Sequence, residues 1–342
     1  MRLCIPPDLS DSTPPILSVS SDAPAATAGP SNLRLRVIWG VIGAALLLGS
    51  VWFSPWTFGL FFAAVQAVML WEFYRLMRAG GYAPATWIGV GAGLVLFAAF
   101  HLWQALPQYW HAQANNTFVQ IGEASVPVGA GALPEQQMVL VGWALVVIGA
   151  VLVALFLLLL LREILLWPTS PSPFGNISVT LGGIFYVSIP MALLQVLAFM
   201  QRSSIDLLQY DHRRVFALLF LIWASDIGAY AAGKTFGKHK MAPSISPGKT
   251  WEGWAGGFAL TLLVGWALGY LLPDMPLAHR LVAAGVVAVF APLGDLAESM
   301  LKRSVGVKDS GSILPGHGGL LDRFDAFLLV LPVLALLQLL AG

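Results

Sequence analysis

Nine apolar runs follow one another along the chain, at approximately 36–54, 57–77, 86–106, 138–161, 178–200, 213–233, 252–272, 280–300 and 324–341. Each is close to the ~20 residues of helix that cross a hydrocarbon core of roughly 30 Å. Lipid offers no partner to a bare N–H or C=O, so a spanning segment must be a helix or part of a closed barrel. Runs that are continuous rather than alternating in polarity select the helix. The pattern predicts an all-α, polytopic transmembrane bundle of about nine spans, the first two parted only by the turn Ser54-Pro55-Trp56.

Composition agrees: 58% of residues are hydrophobic and 10% charged, against about a quarter charged in a soluble domain. One cysteine, Cys4, excludes an internal disulfide framework. The net charge of +1 points to no nucleic-acid partner; what matters is where the charges fall. With the N-terminus inside, the outer connections keep only Arg202, Arg213, Arg214 and Arg280 of the 18 basic residues, as the positive-inside rule requires. Residues 1–33, rich in Ser, Pro, Asp and Ala, read as a disordered tail rather than a signal peptide. Residues 34–200 read as N-terminal membrane helices with an outer loop at 107–137 that has no Lys or Arg, and 201–342 as a C-terminal catalytic region.

Chemistry is concentrated in that last region, in four clusters on the inner side. Ser225-Asp226 lies inside a span, and an acid within a membrane span is expensive unless it is used. Ser246-Pro247-Gly248-Lys249-Thr250 precedes a helix with Gly253, Gly256 and Gly257 near its start. It is not a P-loop, because the first glycine of that pattern would be position 243, which is Pro243, and no strand is expected before it. A helix N-terminus with a Lys and a Thr hydroxyl is nonetheless a phosphate cradle. In the third cluster, Asp295, Glu298, Ser299 and Lys302 share one helical face. Its carboxylates and hydroxyl are hard ligands of the kind Mg²⁺ takes, with a Glu298–Lys302 ion pair as the plainer alternative. The fourth runs through Arg303, Lys308 and a glycine-rich turn to His317, Asp322, Arg323 and Asp325, a shape that can return Asp322 to Asp295. Asp325 also reads as an ordinary helix N-terminal charge. Glu72 and Glu163, beside Arg75 and Arg162, read as paired or solvated, and His101 as a core residue.

The segment Ser299-x-x-Lys302-Arg303-x4-Lys308-Asp309-x-Gly311-x-x-Leu314-Pro315-x-His317-Gly318-Gly319-Leu320-x-Asp322-Arg323-Phe324-Asp325 resembles, over its whole length, the signature of the phosphatidate cytidylyltransferase (CDP-diacylglycerol synthase) family. The Ser225-Asp226 and Ser246–Gly253 blocks resemble that family too. The resemblance implies transfer of a cytidylyl group from CTP to phosphatidic acid, with release of pyrophosphate. It further implies a Mg²⁺ requirement that leaves room for a second cation, and a homodimer among membrane lipids. The expected site faces the cytoplasm of a bacterial-type inner (cell) membrane. Asp295 and Asp322 are then expected to hold the metal with Glu298. Asp226, Lys302 and His317 join them as catalytic groups, and Ser246, Lys249, Thr250, Ser299, Arg303, Lys308 and Arg323 are expected to bind substrate. A relative acting on another lipid phosphate is the nearest rival; a cation- or proton-coupled transporter is the rival from another class.

Overall fold

In a computed structural model the chain is described over residues 32–114, 118–121, 124–127, 134–170, 172–200, 209–311 and 318–341. The predicted 1–33 tail falls almost wholly outside these residues, and His317 lies outside them too.

Every apolar run falls on helix. The helices are α1 (Asn32–Phe53), α2 (Pro55–Ala79), α3 (Thr86–Ala114), α4 (Pro134–Leu165), α5 (Pro173–Gly183), α6 (Ile189–Ala198), α7 (His212–Phe236), α8 (Trp251–Ala267), α9 (Leu277–Ser304) and α10 (Leu321–Ala341). One π turn, Ile184–Ser188, joins α5 and α6 into a single rod. Among the described residues seven helical segments are long and apolar enough to cross a membrane: Pro55–Ala79, Thr86–Ala105, Pro173–Ala198, His212–Phe236, Trp251–Tyr270, Leu277–Ser304 and Leu321–Leu340. α1 adds a shorter apolar stretch, Val37–Phe53.

The narrow gap between α1 and α2 is a true helix boundary. Ser54 Oγ accepts from the Thr57 amide at 3.1 Å while Thr57 Oγ1 accepts from the Ser54 amide at 3.1 Å, with Pro55 opening the next helix. This reciprocal cap satisfies amides that a helix start otherwise leaves orphaned. Within the 107–137 region, β1 (Phe118–Ile121) pairs antiparallel with β2 (Ala124–Pro127). Two-residue strands β3 (Phe199–Met200) and β4 (Gln209–Tyr210) pair before α7.

Between α7 and α8 the structure differs from expectation. β5 (Lys240–Ala242) and β6 (Ser246–Thr250) form an antiparallel hairpin, so the Gly-Lys-Thr triplet lies in an extended strand. A strand does precede α8, but it carries the triplet itself and cannot wrap a phosphate as a P-loop does.

The core is centred on α2, whose buried Phe58, Phe62, Met69, Leu70 and Tyr74 face α3, α1, α5, the π turn and α10. Helices in lipid gain little from hydrophobic transfer, so close contact must come from small residues. α7 and α8 meet that way: a Cβ on Gly228 would stand 2.7 Å from the Gly256 carbonyl, and one on Gly257 2.7 Å from that of Ser225. α9 and α10 meet at Gly294, where a Cβ would come 2.6 Å from the Asp325 carbonyl oxygen.

Candidate active site

The functional side chains gather where α2, α7, α9 and α10 converge beside the β5–β6 hairpin. Two linked groups of carboxylates result. In the first, Lys249 Nζ reaches from β6 to Asp295 Oδ2 at 2.8 Å and to the Pro292 carbonyl at 3.1 Å. Ser299 Oγ lies 3.2 Å from Asp295 Oδ1. Asp226 of α7 and Asp325 of α10 are close enough to Asp295 and Lys249 to interact with both electrostatically. Pro292 shapes this corner, because it lacks the N–H that would serve the Ala288 carbonyl one turn earlier. The indole N–H of Trp254 donates to that carbonyl instead, at 3.1 Å, and so ties α8 to α9.

The second group is deeper. Lys302 is ion-paired to Glu298 one turn before it and to Asp322 Oδ1 at 2.6 Å. Asp322 Oδ2 also accepts from the Ser310 amide at 3.1 Å, the Ser310 hydroxyl at 2.9 Å and the Gly319 amide at 2.9 Å. Gly318 sits at φ +80°, a conformation that suits glycine, and turns the chain into this contact. Glu72 reaches the group from α2: Oε2 accepts from the Leu321 amide at 2.8 Å, and Arg75 beside it donates to the Ser310 carbonyl. Gly311 and Gly319 pack directly on the Glu72 carboxylate, where any side chain would collide.

The structure therefore brings Asp226, Lys249, Asp295 and Ser299 together, and separately Glu298, Lys302 and Asp322. It does not lead Thr250 to the site as an open hydroxyl: Thr250 is buried and caps α8, accepting from the Gly253 amide at 3.1 Å. Ser246 begins β6. Arg303 and Lys308 are exposed, with Arg303 donating to the Val307 carbonyl at 3.3 Å, and Arg323 is exposed on the first turn of α10.

Two acids that sequence reasoning set aside belong here. Glu72 looked like a partner for Arg75, yet the two are no salt bridge; Glu72 is fully buried on the C-terminal segment. Asp325 looked like a helix-end charge, yet Asp295 and Asp226 act on it electrostatically. A glutamate inside the apolar run 57–77, where a charge has to be compensated, was the available signal for the first. Glu163, by contrast, is a satisfied structural acid, accepting from Ser170 Oγ at 2.6 Å and Asn176 Nδ2 at 3.1 Å and paired with Arg162. His101 is a core residue bonded to Gln195 at 3.0 Å.

A cytidylyltransferase-family model matches residues 34–340, nearly the whole of the chain. The chain belongs to the cytidylyltransferase family. Among curated proteins it is similar to the phosphatidate cytidylyltransferase of Bacillus subtilis (strain 168), 46% identical over 138 residues, which is 40% of this chain and 50% of that protein. It is also similar to those of Staphylococcus aureus (strain COL), 50% identical over 127 residues, and Staphylococcus saprophyticus, 48% identical over 127; both alignments cover 37% of this chain and 48% of the relative. The chain thus spans about half the length of the curated relatives it matches.

The donor set suits the divalent cation that the family resemblance implies. Carboxylates are the hard oxygen ligands Mg²⁺ prefers, and it takes only one or two of them when substrate phosphates and waters complete its shell. Buried Glu72 Oε1 and Glu298 Oε1 have no hydrogen-bond partner, so acceptor capacity is in hand. Among the described residues no three acids or imidazoles stand together as a ready-made cage.

Proposed function

We propose that the chain transfers the cytidylyl group of CTP to phosphatidic acid, giving CDP-diacylglycerol and pyrophosphate, at the cytoplasmic face of a bacterial cell membrane. One observation carries the reading: acids from α2, α7, α9 and α10 converge on Lys249 and Lys302 at the ends of apolar helices, where a lipid phosphate and a soluble nucleotide can meet.

An oxygen of the phosphatidate phosphate attacks the α-phosphorus of CTP, and the bond from that phosphorus to the bridging oxygen breaks as pyrophosphate leaves. The attacking oxygen is already anionic, so no strong general base is needed. The difficulty is to bring two polyanions together in line, which requires neutralisation and positioning. Asp295 would hold Mg²⁺ beside the substrate phosphates, with Asp322 and Glu298 of the neighbouring group behind it; the ion when bound supplies Lewis-acid neutralisation of the phosphates. The Asp295 side chain is 44% exposed and that of Glu298 1%, so Asp295 faces the entering substrate and Glu298 supports from behind. Lys249 is poised to leave Asp295 for a phosphate oxygen. Exposed Arg303, Lys308 and Arg323 would draw CTP toward the membrane surface.

The test is a pyrophosphate-release assay on purified protein in vesicles with Mg²⁺ and CTP, comparing phosphatidic acid with an isoprenoid phosphate. Release that depends on phosphatidic acid and yields CDP-diacylglycerol is expected. Release with the isoprenoid phosphate alone, or flux of a cation without nucleotide consumption, would overturn the reading.

A further inference from the structure

The site also contains a hydroxyl that none of these steps uses. Pro190 has no N–H to give to the Tyr186 carbonyl, and the turn just before it widens into the π turn Ile184–Ser188, with the Ile189 amide bonded to the Ile184 carbonyl five residues back. π turns inside α-helices are frequent at functional sites. Tyr186 sits in the middle of it, its ring 6.0 Å from that of Phe73, the neighbour of Glu72. The Tyr186 hydroxyl is buried and has no hydrogen-bond partner. The charged groups acting on it are Glu298 of α9 and Asp325 of α10, one from each carboxylate group. Glu298 Oε1 is itself buried without a partner. A buried phenol normally finds an acceptor, and here a donor and an acceptor are both unused in the same interior.

We infer that Tyr186 is a positioning residue: its hydroxyl donates to the unpartnered Oε1 of Glu298 when a divalent cation binds beside it, fixing the carboxylate that holds Lys302 against Asp322. Asp325 acts on the same hydroxyl electrostatically, so the π turn places one donor within reach of the field of both acid groups. The inference rests on the proposed function for its turnover arm only.

Tyr186→Phe keeps the ring and its contact with Phe73, so the variant should fold, with a thermal midpoint close to that of the parent. Turnover should fall about tenfold, the scale of one lost hydrogen bond to a charged group, while KM for CTP moves less than about twofold. In a double-mutant cycle with Glu298→Gln the two losses should not multiply. A binding readout runs alongside: the Mg²⁺ concentration giving half-maximal thermal stabilisation, without nucleotide, should rise by about tenfold in Tyr186→Phe, as for other groups that orient a metal-binding carboxylate. Unchanged turnover, or losses that multiply in the double variant, would overturn the inference. If the parent protein proves inactive with CTP and phosphatidic acid, the proposed function fails, and the Mg²⁺ midpoint alone decides: a shift supports the role of Tyr186 and no shift ends it.

Discussion

Lys302 holds two acids at once. Its spacing from Glu298 makes an ion pair the plain expectation for it. The structure places it, its side chain only 12% exposed, between Glu298 and Asp322. Lys302→Ala leaves two buried acids uncompensated, a change that costs about 3–5 kcal/mol in comparable interiors; chemical unfolding in detergent should show a loss of that order, beyond any loss of turnover. Asp295→Asn and Asp322→Asn should both abolish CDP-diacylglycerol formation with membrane insertion intact, but they should separate in stability. Asp295 is the more exposed and should fold like the parent. Asp322 accepts from two amides and a hydroxyl as well as from Lys302, so its variant should unfold at lower temperature. Asp295 and Asp226 were legible because an acid inside an apolar run has few uses, and Asp322 because the glycine-rich turn before it can return it to Asp295. Asp325 was not, since an acid at a helix start has an ordinary electrostatic explanation, and only the crossing at Gly294 sets it against Asp295.

At the scale of elements, that crossing makes a sharp prediction. Gly294→Ala would press a methyl against the Asp325 carbonyl, forcing α9 and α10 apart and displacing Asp325; overpacking of this sort costs about 1–3 kcal/mol. A lowered thermal midpoint together with lost turnover is expected, and wild-type values for both would refute the contact. The start of α7 offers a pH test outside the membrane-spanning segments. Burial acts to raise the Asp211 carboxyl, but hydrogen bonds from the Arg213 guanidinium and amide outweigh it and hold it below the ordinary carboxylate range. A depressed folded-state value means stabilisation that is complete above the unfolded value, near 4, and lost as pH falls through the folded one. The gap in thermal midpoint between the parent and Asp211→Asn should be full at about pH 6 and close as pH falls below about 4. Helix positions were readable from apolar length alone. The β5–β6 hairpin was not, because Ser-Pro-Gly reads as a turn, and what holds it is distant: Glu252 accepting from the Lys238 and His239 amides, and Lys249 drawn to α9.

Over the whole molecule, a site written in the last third of the sequence is closed by a helix from the first. Glu72 takes the amide that opens α10, and Arg75 takes the carbonyl of Ser310. Neither partnership has a local sequence signature, since the residues are more than 230 positions apart. The two ends of the chain are thereby bound to a common fate. Severed in the connection before α7, the halves should each insert into the membrane, yet neither should work alone; co-production of both in one cell should restore synthesis, and Glu72→Ala in the front half should prevent that reunion.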